Sequence, residues 1–531
     1  MMLLRLLGKQ QGKIIKSWAI HNGPDPIDLA AWDKRGVDML PIRVEDFVAT
    51  IERVPFGAES RGGGLDLDWG GDCRLVVMRV VPGAGSVAVV RSELFGPSRR
   101  TTTVGVLLLI SMVAFEAMGV GTAMPALVAD LGAVSLYAWP FVAFMAAGVF
   151  GTVLGGRWCD LAGPRIPLVA APVLFGVGLL VAGTAAGMPQ LLVGRVLQGW
   201  GAGILTVAVF VLIAVVYAER TRPALFGLMS SAWVLPSLIG PPVAGVVAER
   251  LAWHWVFLGL VPVVVLAVAL VVPAVRRLGK PNPGRGIPPR RGLVFAALCA
   301  AVGVSALSWA AQRPSTGAAV VGGAALVLLV PSMRRLLPAG VFRARRGVPT
   351  VVAARGLLAG VFFATNSYLP LILTSTHHWA LTAAGIPLVV ASLGWSAASG
   401  WQGRHPDLPR QRLLQIGFSL LAAATAGLLL VAPGWGIPWL ALPLWGIAGI
   451  GMGLGYSAVS FLLLQQSSTG EVGFHSSAAQ MSDQLSTAIL IGAGGALLAL
   501  LGSPALALPV LLAVLAGLGV VGATMATRAT L

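Results

Sequence analysis

The sequence predicts an all-α polytopic membrane protein, and three observations carry that prediction. Of its 531 residues 56% are hydrophobic and 11% charged, with mean hydropathy +0.85, which excludes an ordinary soluble domain. From Val104 onward about fourteen apolar segments follow one another, each near the roughly 20 residues needed to cross hydrocarbon. Lys and Arg fall almost entirely in alternate connections, as expected when basic loops stay on the cytoplasmic side.

The first ninety residues stand apart, with acids and bases in balance and no run long enough to span a bilayer. The opening MMLLRLLGKQQGKIIKSWAI scatters its lysines instead of setting a charged head before a long apolar core, so it makes a poor signal peptide. PFGAESRGGGLDLDWGG reads as loop, and RLVVMRVV and VAVV as short strands. Residues 1–98 are expected to be an N-terminal extension, soluble or poorly ordered, or the product of a start placed upstream of one near Met78. A small regulatory domain is the alternative.

The apolar segments run at 104–124, 138–155, 166–186, 190–217, 224–248, 254–275, 293–311, 317–333, 349–374, 384–401, 412–432, 437–464, 477–500 and 504–526. With Arg91, Arg99 and Arg100 inside, the same side holds the basic groups near 157–165, 220–222, 276–291, 334–346, 404–412 and 528, while the other holds only Arg250 and Arg313. Both termini are therefore expected in the cytoplasm and the chain in the cell membrane. The formal charge of +17 follows from this topology, because the bases sit in short clusters between apolar runs and form no nucleic-acid surface. Cys73, Cys159 and Cys299 match no metal or redox spacing, so no metal site is expected.

Four ionisable residues interrupt the apolar segments: Glu116, Arg195, Arg355 and Asp483. Charge inside a membrane is costly, so each is a candidate functional residue, and these four are the proton-coupling set. Glu116 lies near the middle of the first span, where a carboxyl removed from water can take up and release a proton in step with its surroundings. Arg195 carries an effectively permanent charge that can act on a nearby carboxyl or water. Arg355 and Asp483 lie at similar depth and are expected to pair, as a lock or with Asp483 as a second proton or cation site. Gln198, Trp233, Asn366, Tyr368, Trp395, Tyr456 and Gln480 are candidates for the wall of a substrate cavity, suited to small amphipathic or cationic organic molecules. Trp253, Trp255, Trp379, Trp435 and Trp439 read as an interfacial belt.

The stretch LLVGRVLQGWGAG, with Leu191, Arg195, Gln198, Gly199, Gly201 and Ala202, resembles the fourth-span motif of the major facilitator superfamily. Gly227, Gly240, Pro241 and Gly245 resemble the fifth-span antiporter motif of its drug/proton antiporter branch, usually of fourteen spans, with Pro236 where that family prefers Gly, and Trp253, His254, Trp255 and Phe257 resemble the signature that follows. Gly156, Asp160, Gly163 and Arg165 are similar to the cytoplasmic gating motif, in which the acid would latch the inward gate; Leu161 and Pro164 replace two of its bases. Glu116 precedes Pro125 by the interval at which the family places an acid. The resemblance implies a major facilitator fold of two six-helix bundles plus two extra helices between them. The implied divisions are 1–98, the extension; 99–275, the N-terminal bundle; 276–348, basic loops with two extra helices; and 349–531, the C-terminal bundle.

The function expected from these readings is proton-coupled export of small organic molecules by alternating access, by a monomer whose partners are substrate, protons and membrane lipid. No cofactor and no nucleic acid are expected. A proton-coupled uptake symporter is the alternative within transport. A membrane-embedded enzyme or a non-transporting sensor is the alternative of another class; no His-Glu-x-x-His, phosphate loop or paired catalytic acids support an enzyme.

Overall fold

Residues Met1–Gly96 and Pro97–Leu531 form two separate units in the structure, a computed structural model. It describes every residue except 1, 11–12, 22–46, 52–77, 83–93, 97–98, 218–220, 278–291, 314, 406, 469–470 and 531. The first unit holds two antiparallel pairs, β1 (Met2–Gln10) with β2 (Lys13–His21) and β3 (Phe47–Ile51) with β4 (Met78–Pro82). Strands β1, β2 and β3 are not expected from the sequence, because their apolar and polar residues do not alternate cleanly. Strand β4 overlaps the end of RLVVMRVV and runs one residue past it, to Pro82; the loop at 55–71 and the residues at 74–77 and 87–90 lie outside the described residues.

The second unit is helical: α1 (Arg100–Asp130), α2 (Trp139–Ala162), α3 (Pro167–Gly183), α4 (Met188–Val216), α5 (Arg222–Arg250), α6 (Val261–Arg277) and α7 (Leu293–Ala311). Then come α8 (Thr316–Leu336), α9 (Val348–His377), α10 (Ile386–Arg404), α11 (Arg410–Gly427), α12 (Ala441–Gln466), α13 (Val472–Leu501) and α14 (Pro504–Met525). Thirteen helical segments among the described residues are long and apolar enough to cross a membrane, and α3, at 17 residues, is shorter. Proline opens α2, α3, α4, α5, α9, α10 and α14, where its missing N–H would have had no partner. Such starts fix the helix ends near the expected limits, and α7 has them unchanged. The sixth segment is broken: a turn of helix, His254–Leu258, precedes α6.

Helices α1–α6 and α9–α14 form two bundles that share five internal pairings. In the first, α1 packs on α5 and α6, α2 on α4, and α3 on α4 and α6. In the second, α9 packs on α13 and α14, α10 on α12, and α11 on α12 and α14. The bundles meet where α2 packs on α13, α5 on α10 and α1 on α9. Helices α7 and α8 form a hairpin, and α7 covers the α2–α13 seam by packing on both helices.

A backbone device recurs in the fourth helix of each bundle. Gly199, Gly201 and Gly203 of α4 are matched by Gly449, Gly451 and Gly453 of α12. The outer glycines face the second helix of their bundle: a Cβ on Gly203 would lie 2.5 Å from the Gly148 carbonyl, and one on Gly453 2.5 Å from the Trp395 carbonyl. The middle ones face the third: a Cβ on Gly201 would lie 2.7 Å from the Phe175 nitrogen, and one on Gly451 2.6 Å from the Gly417 carbonyl. Removing side chains lets helices approach to backbone contact where lipid supplies no hydrophobic drive between them.

Candidate functional site

The shared backbone holds different chemistry in each bundle. In the first, Arg195 of α4 reaches three groups on three helices. Its Nη1 donates to Glu116 Oε1 of α1 and to Gln198 Oε1, 2.6 Å away, and its Nε donates to the Pro140 carbonyl at the start of α2 at 3.0 Å. The guanidinium also lies over the Phe144 ring, 4.6 Å from its centre. Glu116, Arg195 and Gln198 are 1%, 2% and 0% exposed, so this ion pair is enclosed by protein. Glu116 Oε2 and Gln198 Nε2 have no partner among the described residues, so the carboxylate has room for one more proton or donor and the amide for an acceptor.

In the second bundle an uncharged group, Trp445 with Asn366 and Phe362, stands at the corresponding place. Trp445, four residues before Gly449 as Arg195 is before Gly199, is fully buried and donates from Nε1 to Asn366 Oδ1 at 3.0 Å. Its ring stacks on Phe362 with centres 5.1 Å apart. The charge of the second bundle lies elsewhere. Arg355 of α9 donates from Nε to Asp483 Oδ2 of α13 at 2.9 Å and from Nη2 to the Tyr456 hydroxyl of α12 at 2.5 Å. Tyr456 in turn donates to Asp483 Oδ2 at 3.1 Å. Both charged side chains are 12% exposed, and Asp483 Oδ1 has no partner among the described residues. Trp395 packs against Tyr456, Phe362 and Phe363, forming an aromatic group beside this pair. Gln480 is half-buried one turn before Asp483.

Several expected positions are corrected. Tyr368 is no cavity wall: it is fully buried, its hydroxyl donates to the Ile491 carbonyl at 2.7 Å, and its ring rests on Tyr137 and the bare backbone at Gly494. The amide oxygens of Asn366 and Gln198 accept from Trp445 and Arg195, which fixes how both side chains are turned. Trp233 is 41% exposed. Trp253 is not part of an interfacial belt but an internal tie, 4% exposed, with Nε1 donating to Asp130 Oδ2 at 2.8 Å.

In the gating motif, Gly163 ends α2 with φ +69°, the turn that glycine allows. Gly156 is no close-approach position, because a Cβ there meets nothing within 4 Å; Gly151 and Gly155 take that role against α4. Gly156→Ala is therefore expected to leave the thermal unfolding midpoint unchanged or slightly raised, measured on purified protein in detergent. Asp160 is exposed, with no bond to Arg165 or to any other described residue, so the latch is unmade here. In the antiporter motif, Gly240 faces Gly119 of α1, while Pro241 meets Gly385 and Gly245 meets Thr382 ahead of α10. Gly227 lies in α5, its surroundings outside the described residues.

The contacts between bundles gather at one end. Tyr137 donates to the Ser367 carbonyl at 2.7 Å, and Glu249 accepts from the Thr382 nitrogen and hydroxyl at 2.9 and 2.8 Å. All hydrogen bonds found between described residues of the two bundles lie at this end, which carries the α1–α2, α5–α6 and α9–α10 connections.

Residues 106–490 match the sequence profile of the Major Facilitator Superfamily. The chain belongs to that superfamily. An uncharacterized MFS-type transporter of Mycobacterium tuberculosis is 26% identical over 371 residues, 66% of this chain and 52% of that one. The multidrug transporter protein MdtP of Bacillus subtilis is 31% identical over 175 residues, 33% of this chain and 32% of that one. The match thus spans about half the length of the first relative and a third of the second. Among solved structures, a POT family transporter in complex with 5-aminolevulinic acid superposes with a TM-score of 0.60 over 79% of this chain and 94% of that one, at 15% identity. That likeness concerns the fold alone. As a major facilitator protein the chain is a multi-pass membrane protein, and the two repeated bundles are that fold's two halves.

Proposed function

We propose that this chain exports small organic molecules in exchange for protons, its two bundles exposing a central site alternately to the two sides of a cell membrane. The observation that carries this reading is the enclosed Glu116–Arg195 pair, set where the other bundle holds uncharged Trp445 and Phe362. A carboxylate that exchanges its guanidinium for a proton acts as a switch. Once Glu116 is neutral, Arg195 keeps only the Pro140 carbonyl and Gln198, and α1 is released from α4. Glu116 lies one turn from Gly119, where α1 meets α5 across the Gly240 backbone, so the release acts on the helix whose far end touches the other bundle. The multidrug relative supports export of organic solutes.

In this reading the basic connections lie in the cytoplasm with both ends of the helical unit, so the end that joins the bundles is outside and the conformation opens inward. Asp160 and Arg165 then belong to contacts made in the opposite state. The solute is amphipathic or cationic, received by Trp395, Tyr456 and Gln480 beside Arg355 and Asp483. The Arg355–Asp483 pair locks α9 to α13, and a proton on Asp483 loosens it. The chain works as a monomer, without a cofactor, in divisions 1–98, 99–275, 276–348 and 349–531. Inverted vesicles holding the purified protein test the reading with a fluorescent organic cation and an imposed proton gradient. Wild type is expected to accumulate the cation as protons leave, and Glu116→Gln to lose the dependence on the gradient while still binding the cation. Unchanged exchange in Glu116→Gln would remove the switch.

A further inference from the structure

We propose that the α8–α9 connection is a binding site for the headgroups of anionic membrane phospholipids. From Glu249 to Asp407 the intervening sequence holds no acid but fifteen Lys and Arg residues. The fold gathers five of these arginines: Arg334 and Arg335 in the last turn of α8, and Arg343, Arg345 and Arg346 in the connection, all exposed. Neither ion pair found among the described residues uses them. Five guanidinium groups so close repel one another unless anions from outside neutralise them, and phosphate matches their planar donors in pairs.

The connection is a shaped element. Its backbone enters the left-handed region at Gly340 (φ +96°), Ala344 (φ +43°) and Gly347 (φ +86°), and Ala344 has a Cβ that disfavours it. The Arg345 stem folds over Gly340, the Arg345 carbonyl accepts from Thr350 Oγ1 at 2.6 Å, and Gly347 N donates to the Arg528 carbonyl at 3.2 Å. Phe342 stands exposed among the arginines, an aromatic ring suited to the membrane–water boundary. Helix α8 supplies the rest of the site. Val320 and Val327, 72% and 73% exposed, share one stripe with Arg334 at seven-residue intervals. An acyl chain lying along those valines brings its phosphate to Arg334 and the connection beyond.

The test uses the purified full chain in nanodiscs of phosphatidylcholine with phosphatidylglycerol, counting retained lipids by native mass spectrometry. Wild type is expected to retain phosphatidylglycerol over phosphatidylcholine by about fivefold or more, roughly the effect of one basic residue at a charged surface. Arg343→Gln/Arg345→Gln/Arg346→Gln is expected to abolish that preference, and Arg334→Gln alone to halve it or more should the triple variant fold poorly. Arg100→Gln/Arg276→Gln/Arg412→Gln, the same charge change at other connections, is expected to keep it. Equal retention of both lipids, or equal loss in the two triple variants, overturns the proposal in favour of a purely topological role. Displacement of phosphatidylglycerol by millimolar inorganic phosphate overturns it in favour of a free-anion site. The outcome is independent of transport.

Discussion

Arg195→Met is expected to destabilise the folded chain by about 3–5 kcal/mol, because it leaves Glu116 buried without its partner. Adding Glu116→Gln is expected to recover most of that loss, since a neutral amide is far cheaper to enclose than a carboxylate. About 1–2 kcal/mol should stay lost in the double variant, for the Pro140 carbonyl and Gln198 Oε1 have also lost their donor. Denaturant titration in detergent, followed by tryptophan fluorescence, measures all four corners of the cycle. A double variant no more stable than Arg195→Met alone would show that the pairing with Glu116 is not what Arg195 contributes. Arg355→Met is expected to cost less, because the Tyr456 hydroxyl still donates to Asp483 Oδ2.

Gly201→Leu and Gly451→Leu are expected to fail by the same mechanism in the two bundles. Each side chain would meet main chain: the Phe175 nitrogen and Ala171 carbonyl from Gly201, the Gly417 carbonyl and Leu421 nitrogen from Gly451. Backbone cannot rotate aside, so α4 must part from α3, or α12 from α11, at a cost of about 3 kcal/mol or more. The expected readout is loss of monodisperse protein on size exclusion. Gly323→Leu, on α8 with open space around it, serves as the control and should behave as wild type. A well-behaved Gly451→Leu protein would mean that the glycine triplet of the second bundle is a coincidence of composition.

The spans were legible because hydrocarbon thickness imposes a length on every apolar run, and prolines then mark where helices start; the limits of α7 needed no change. What faces what was less legible. A helix apolar on all sides carries no stripe to orient it, so Glu116 and Arg195 were visible as separate charges but not as partners. Tyr368 and Trp253 were misplaced for a related reason: a polar tip in an apolar segment suggests a cavity or an interface, whereas a carbonyl or an aspartate on another helix satisfies it equally well. The glycine triplet at 449–453 was in plain view, and comparing it with 199–203 would have revealed the repeated bundle without any motif. The unmade Asp160 latch belongs to a conformational state, which sequence does not specify.

Of the three seams between the bundles, the hairpin α7–α8 covers the one between α2 and α13. At the α2–α13 seam α7 touches both helices, and Gln312 just beyond its end accepts from Trp139 Nε1 at 3.0 Å. Against the α5–α10 seam lies only one turn of helix, Leu381–Ala384, among the described helices. The halves therefore resemble a book bound along one edge, where parting the covers is cheaper at the free edge than at the spine. Any parting of the two halves is therefore expected to hinge toward the hairpin and to open first along the edge away from it.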